Sequence, residues 1–305
     1  MRVIVTGASG MIGSALCDAL LVRGEEVVGL TRDPARARAT NPTVSWHAWN
    51  PTDERPPQAA LAGVDAVVNL IGETTNQRLT PAAKQRILDS RLRSTKNLVD
   101  GLATASTPPR VMVSQSAVGY YGERGEAIID ESAPPGSGFL AELPAAWEET
   151  ARGAERLDLR LAILRTGIVL DPEGGMIKQL LLPFRLGVGG PLAGGDWYMP
   201  WIHRDDEVGL IGWALGEQRA AGVLNACAPH PVTNREFSTA LGRVLRRPAI
   251  TPAPKIAIAA LRGGELAEAV TESHRAVPRR ALDLGYSFRF PVLEPALRDL
   301  FSRRQ

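Results

Sequence analysis

The sequence predicts an α/β protein: a doubly wound parallel sheet with a smaller C-terminal lobe for a substrate. Three observations predict it. Short β-branched strands alternate with helical patterns through most of the 305 residues. A glycine-spaced turn, Gly7-Ala8-Ser9-Gly10-Met11-Ile12-Gly13, sits between the first strand and the first helix. After Leu170 glycines crowd the chain, and Pro248, Pro252 and Pro254 break it before the last helical segments.

Val3-Ile4-Val5 is the first strand, ended by Thr6-Gly7. From Met11 the period changes: Ile12, Ala15, Leu16, Ala19 and Leu20 share one helical face, and Gly24 stops the helix. Val27-Val28-Gly29-Leu30 is a second buried strand, which completes a right-handed βαβ unit. Further strands are expected at 44–49, 65–71, 110–114 and 159–164, with a short one at Val223–Ala226. Thr80 as N-cap and Pro81 at the first position open a helix that runs to about Ala103. Thr233-x-x-Glu236 is a capping box at the start of another. The expected division is residues 1–230 as the dinucleotide-binding domain, with 171–204 contributing to the substrate lobe, and 231–305 as an α-rich lobe.

The composition narrows the classes. Forty-four per cent hydrophobic and 22% charged residues exclude disordered and collagen-like chains. Thirty-five Lys plus Arg against 33 Asp plus Glu leave a net charge of +2, so bulk charge does not point to nucleic acid or a membrane surface. Two cysteines, Cys17 and Cys227, make no disulfide framework and are expected as small core residues of a cytoplasmic protein. The N-terminal apolar run is too short for a signal peptide, and no stretch reaches the ~20 apolar residues of a membrane span. No His/Cys cluster has metal-ligand spacing, and no metal is expected.

In a parallel sheet ligands bind beyond the carboxyl ends of the strands. Those ends carry Gly7 to Gly13, Thr31-Arg32, Leu70-Ile71-Gly72, Ser114 to Gly122, and Arg165 onward. Gly7 permits the tight turn, Gly10 lets a pyrophosphate approach the helix start, and Gly13 permits close packing of helix on strand. This is a Rossmann-type dinucleotide site. At the tip of the second strand, where NAD binders place an acid for the ribose, stand Thr31 and Arg32. A small hydroxyl leaves room for a 2′-phosphate and a guanidinium grips it, which favours NADP(H) over NAD(H). The competing reading gives the ribose to Asp33 and leaves Arg32 in solvent.

The spacing Thr-Gly-x-x-Gly-x-x-Gly resembles the short-chain dehydrogenase/reductase superfamily. Asn69-Leu70-Ile71-Gly72-Glu73, Ser116-Ala117-Val118-Gly119-Tyr120-Tyr121-Gly122 and Leu164-Arg165-Thr166-Gly167-Ile168-Val169-Leu170 resemble one atypical extended branch, the NAD-dependent epimerase/dehydratase family proteins. Leu182–Gly187 and Trp201–Asp206 match two more blocks, and from Phe237 the chain resembles that branch's C-terminal domain of unknown function. The resemblance implies a cofactor lying against Gly7, Ser9, Gly10, Met11, Ile12, Gly13, Thr31, Arg32, Leu70, Ile71, Gly72 and Ser114. It further implies Arg91 and Arg165 around the phosphates or the substrate, and a homodimer by analogy.

The superfamily's acid–base pair, Tyr-x-x-x-Lys, is missing: the residues four after Tyr120, Tyr121, Tyr198 and Tyr286 are Arg124, Gly125, Ile202 and Phe290. By resemblance Phe139 and Leu143 stand in its place. Ser116 resembles the catalytic serine, or else ends a strand. Tyr120 or Tyr121 could supply the missing acid, or stack in the core. His203 is better read as a helix start than as a catalyst, and Glu73 and Glu142 are alternative bases in neighbouring loops. Trp197, Tyr198 and Trp201 are equally core or pocket walls. Two functions follow: an NADP(H)-dependent oxidoreductase or epimerase-like enzyme for a small-molecule substrate, built on Ser116 with Tyr120 or Tyr121, or a non-catalytic NADPH-binding regulator that acts through protein partners, as in cell division.

Overall fold

The computed structural model of the protein describes residues 1–302, so residues 303–305 of the expected C-terminal lobe lie outside it. Seven strands form the central sheet: β1 (Arg2–Thr6), β2 (Glu26–Thr31), β3 (Ser45–Ala48), β4 (Ala66–Asn69), β5 (Val111–Ala117), β6 (Arg160–Thr166) and β7 (Gly222–Ala226). Their order is β7-β6-β5-β4-β1-β2-β3, and every pairing is parallel. The chain runs outward from β1 through β2 and β3, then returns to the other side of β1 for β4. That reversal opens a crevice beyond the ends of β1 and β4, where a doubly wound sheet holds its ligand.

The helices are α1 (Met11–Val22), α2 (Pro34–Thr40), α3 (Gln58–Leu61), α4 (Pro81–Leu102), α5 (Phe139–Arg152), α6 (Gly175–Arg185) and α7 (Arg204–Gly216). After β7 follow α8 (Asn234–Leu245), α9 (Lys255–Arg262), α10 (Gly264–Ala269), α11 (Arg279–Asp283) and α12 (Leu293–Ser302). Strand residues alternate between two cores. Val3, Val5, Val27 and Val68 pack with Leu16 and Leu20 of α1 and Leu210 and Ile211 of α7. Ile4, Val28, Val67 and Met112 pack with Leu98 and Leu102 of α4 on the opposite face. Both faces are therefore dry, which is why the strands read as continuous apolar runs.

Thr80 caps α4 by accepting from the Ala83 amide, with Pro81 at its first turn, and the Thr233–Glu236 capping box opens α8. A third core joins Ile177, Leu181 and Phe184 of α6 to Phe237 and Leu241 of α8 and Leu297 of α12. Trp201 lies at its centre, fully buried, and Trp197 packs against it. Tyr198 lies beneath Arg275. These aromatics support the second lobe and do not line the ligand crevice.

Two elements differ from the sequence reading in ways that matter for the site. Strand β5 continues three residues past Ser114, because Gln115, Ser116 and Ala117 keep pairing with Leu164, Arg165 and Thr166. The glycine-rich stretch after Leu170 holds the helix α6 rather than loop alone. Among the described residues no helix is long and apolar enough to cross a membrane.

Candidate active site

The end of β1 and the end of β4 are tied together first. The Thr6 hydroxyl donates to Asn69 Oδ1 (2.8 Å) and accepts from the Leu70 amide (3.1 Å), so the chain leaves both strands at a set distance. Gly7 then turns at φ +65°, a conformation open to glycine at little cost. Gly10 caps α1 with no side chain bonded to the cap, which leaves the helix start open to an anion. A Cβ on Gly13 would lie 2.2 Å from the Gly7 carbonyl oxygen, so only glycine lets the helix close on the turn.

Three clefts lie beyond the carboxyl ends of these strands. The first, between the turn and α2, is lined by Ser9, Ser14, Thr31, Arg32, Arg36 and Asn41. The one carboxylate among its lining residues, Asp33, accepts the Arg36 amide (3.0 Å) as the N-cap of α2. The second cleft shares Arg32 and adds Asn50, Ile71, Gly72, Glu73, Arg86 and Arg93. Gln77 and then Arg86 hold the Glu73 carboxyl below the usual range, so Glu73 is an ionised partner of that edge.

The third, inner cleft is a cavity of about 410 Å³. Met11, Ile12 and Leu70 form one side, Leu140, Leu143, Pro144 and Trp147 of α5 another, and Met176 of α6 closes it. Its polar groups are Thr75, Arg91, Gln115, Ser116 and Thr166. Arg91 donates to the Glu73 carbonyl (2.8 Å) and lies over the Trp147 ring. Burial lowers its pKa to about 10, so it is still charged at neutral pH. The position of Leu143, which is buried, is an apolar wall.

Behind Ser116 lies a buried charge network. The Ser116 hydroxyl donates to Glu148 Oε1 (2.7 Å). Arg165 grips the same carboxylate with two nitrogens, Nε to Oε1 (2.8 Å) and Nη2 to Oε2 (2.9 Å). Arg165 Nη1 donates to the Tyr121 hydroxyl (3.1 Å), which donates to Asn225 Oδ1 (2.6 Å). The guanidinium also lies 3.4 Å from the centre of the Tyr120 ring. Burial opposes the charge on Arg165, but its bonds to Glu148 outweigh that and hold it above the ordinary range.

This geometry sorts the expected site residues. Gly7, Gly10 and Gly13 form the turn, and Ser9, Met11, Ile12, Thr31, Arg32, Leu70, Ile71, Gly72, Arg91 and Ser116 line the clefts. Four others do not. Ser114 is fully buried and accepts from Asn69 Nδ2 (3.3 Å), so it braces the strand ends. Arg165 is only 3% exposed and bound to Glu148, which corrects the expectation of a guanidinium at the cofactor phosphates or the substrate. Tyr121 is fully buried, and burial pushes its phenol above the ordinary value, so it is no acid for the cleft. Tyr120 stacks on Arg165 and is not among the lining residues.

His203 accepts the Asp205 amide (3.0 Å) as the N-cap of α7 and stacks on Phe290, a structural place. Glu142 lies in the first turn of α5, not in a loop, and accepts the Gly138 amide (3.3 Å). Cys17 and Cys227 are buried core residues, and burial raises Cys17 to about 12. Among the described residues no cluster of three or more His, Cys, Asp or Glu could hold a metal.

Residues of the site that the sequence reading did not single out include Glu148, Glu207 and Gln115, with Arg36 in the first cleft and Thr75 and Thr166 in the inner one. A signal for two of them existed. Glu148 is spaced with Ala141, Pro144 and Ala151, and Glu207 with Leu210, Ile211 and Ala214, each a carboxylate on a helix's buried stripe.

Known proteins share the sequence pattern and the fold of this chain. A family model described as the NAD dependent epimerase/dehydratase family matches residues 3–227, and a domain of unknown function (DUF1731) matches 253–300. The epimerase family protein SDR39U1 of Bos taurus is 38% identical over 307 residues, 99% of this chain and 100% of that protein. The crystal structure of human epimerase family protein SDR39U1 (isoform 2) with NADPH is 35% identical, covers 99% of both chains and has a TM-score of 0.89. UDP-glucuronic acid 4-epimerase from Bacillus cereus, in complex with UDP-glucuronic acid and NAD, shares the fold at 17% identity, with a TM-score of 0.79 over 100% of both chains.

Proposed function

Because the chain belongs to the NAD dependent epimerase/dehydratase family, we propose that it is an NADP(H)-binding oxidoreductase or epimerase-like protein acting on a small-molecule substrate in the inner cleft. The observation that carries the cofactor choice is the first cleft. Arg32 and Arg36 flank it beside the hydroxyls of Ser9 and Thr31, and its one carboxylate, Asp33, is occupied at the start of α2. That is a setting for a phosphate rather than for a bare ribose diol. The human relative's structure with NADPH supports the same choice.

The residues present fit the dinucleotide. Gly7, Gly10, Gly13 and the open start of α1 would hold its pyrophosphate, for a Cβ at Gly13 would close the cradle. Ser9, Thr31, Arg32 and Arg36 would hold the 2′-phosphate. The nicotinamide, when bound, supplies a two-electron donor or acceptor. Around the inner cleft the apolar side chains of α5 and Met176 exclude water, and Ser116, whose proton goes to Glu148, offers its oxygen as an acceptor for a substrate hydroxyl.

Fluorescence titration with NADPH and separately with NADH tests the reading. Tight, NADPH-selective binding is expected. Arg32→Ala should weaken NADPH by about 1–3 kcal/mol, the range for a charge-assisted bond, and leave NADH nearly unchanged. Equal losses for both would remove Arg32 from the phosphate site. A second reading, a non-catalytic NADPH-binding regulator, is favoured by the Phe139 and Leu143 side chains that pack together in an apolar cluster where the acid–base pair would stand. It predicts selective binding with no NADPH consumed across carbonyl and sugar-nucleotide substrates.

A further inference from the structure

Two glutamates are wholly buried near the inner cleft, and they are treated in opposite ways. Glu148 faces the forked guanidinium of Arg165. Glu207, on α7 and fully buried, has no cation against it among the described residues. Its Oε1 accepts from two neutral donors, Gln115 Nε2 (2.8 Å) and the Thr166 hydroxyl (3.0 Å). Its Oε2 is buried with no hydrogen-bond partner. Gln115 Nε2 also donates to Thr166 Oγ1 (2.6 Å), so the three groups form one closed cluster. Gln115 and Thr166 both line the inner cleft, and Glu207 stands directly behind them.

A buried carboxylate without a cation is expensive, and its cheapest remedy is a proton. Burial pushes the Glu207 carboxyl up to about 7, against the opposing effect of its two donors. The other titratable groups around it add no cation. Asp206 precedes it on α7 and accepts the Arg289 and Phe290 amides. Burial first, and then neighbouring carboxylates (Glu131 for Cys227, Asp206 for Tyr286, with Glu207 behind them), keep Cys227 and Tyr286 from ionising, while Arg23 acts on Tyr286 and not on Glu207.

We propose that Glu207 is the proton store of the inner cleft, coupled to the oxidation state of the bound nicotinamide and joined to the substrate through the Thr166 hydroxyl. The inference rests on the inner cleft's being the nicotinamide site. Glu207 does not touch the cleft and acts through Thr166. When a substrate carbonyl carbon gains two electrons and a hydrogen from the reduced nicotinamide, its oxygen takes the Thr166 hydroxyl proton. Thr166 takes the proton of Glu207, which is left as a carboxylate and regains a proton from solvent. In the oxidising direction each transfer reverses: the substrate oxygen gives its proton to Thr166, and Thr166 gives one to Glu207. The hydroxyl rotor of Thr166 serves both directions, since it both donates and accepts.

The oxidised nicotinamide carries one more positive charge than the reduced ring, which favours an ionised Glu207. Calorimetric titration with NADP+ and with NADPH, in buffers of different ionisation heat between pH 6 and 8, measures the coupling without any substrate. The expected result is proton release with NADP+ that exceeds that with NADPH, and a ratio of the two affinities that shifts severalfold, up to tenfold per pH unit. Glu207→Gln should keep cofactor binding and lose this pH dependence, which a merely structural glutamate would not do. Thr166→Val, an independent variant that removes one donor from the carboxylate, should move the coupling to higher pH. Binding with no excess proton release, or a coupling that survives in Glu207→Gln, would overturn the proposal and leave the cofactor site standing. Failure of either cofactor to bind the wild type would overturn both.

Discussion

Removing Arg165 isolates the consequence of a charge buried beside the cleft. Arg165→Met keeps an unbranched stem over Tyr120 but deletes the fork that holds Glu148 at 2.8 and 2.9 Å. Glu148 then keeps the Ser116 hydroxyl at 2.7 Å and a long contact from Arg152 at 3.4 Å, neither of which replaces a bidentate partner. The glutamate side chain is 0% exposed and the arginine 3%, so water cannot substitute for it. Breaking a buried pair by removing one partner costs about 3–5 kcal/mol. Replacing both, as in Arg165→Met with Glu148→Leu, removes the uncompensated charge as well. The double variant should therefore recover at least about 2 kcal/mol over the single one, less what the stranded Ser116 and Tyr121 hydroxyls cost. Urea denaturation reads both differences as midpoint shifts at constant slope. A single variant within about 1 kcal/mol of wild type, or a double variant no better than the single, would refute the account of the pair as a desolvated charge couple.

Two further outcomes follow from the same structure. Glu207 is raised from 4.5 to about 7, so the folded protein holds that proton between those values and the unfolded chain does not. The contribution to stability is thus present at low pH and lost as pH rises through about 7, a total of about 3 kcal/mol. Glu207→Gln should flatten that decline in thermal melts from pH 5 to 9, and an unchanged pH dependence would show that the carboxyl ionises freely. Gly13→Ala places a Cβ 2.2 Å from the Gly7 carbonyl oxygen, so the turn must open and NADPH binding should be lost. A titration that finds wild-type affinity would remove the turn from the cofactor site.

Much of the site was legible because its signals are local. The turn from Gly7 to Gly13, the Thr80 cap with Pro81 and the Thr233–Glu236 box each act within a few residues of themselves, and each forms as its spacing requires. Arg32 was legible because a strand's tip faces the cofactor edge in any doubly wound sheet. Arg165 and Tyr121 were not, since their resemblance to a motif says nothing about which face of β6 or of the loop after β5 they occupy. Extending β5 by three residues sets Ser116 at a buried position beside Glu148, and Arg165 follows to meet it.

The sequence by itself determined the order of the seven strands, the parallel sheet, the glycine turn before the first helix and the absence of a Tyr-x-x-x-Lys pair. Those properties depend on periodicity, caps and residue identity, which are written in consecutive residues. Only the tertiary structure decided which ionisable groups are paired, which face the cleft and which stand behind it against neutral donors. Glu148 and Arg165 are 17 residues apart, and Gln115 and Glu207 are 92 apart. The charge state of such a group depends on what the rest of the chain packs around it, and desolvation is a property of the assembled core rather than of any segment.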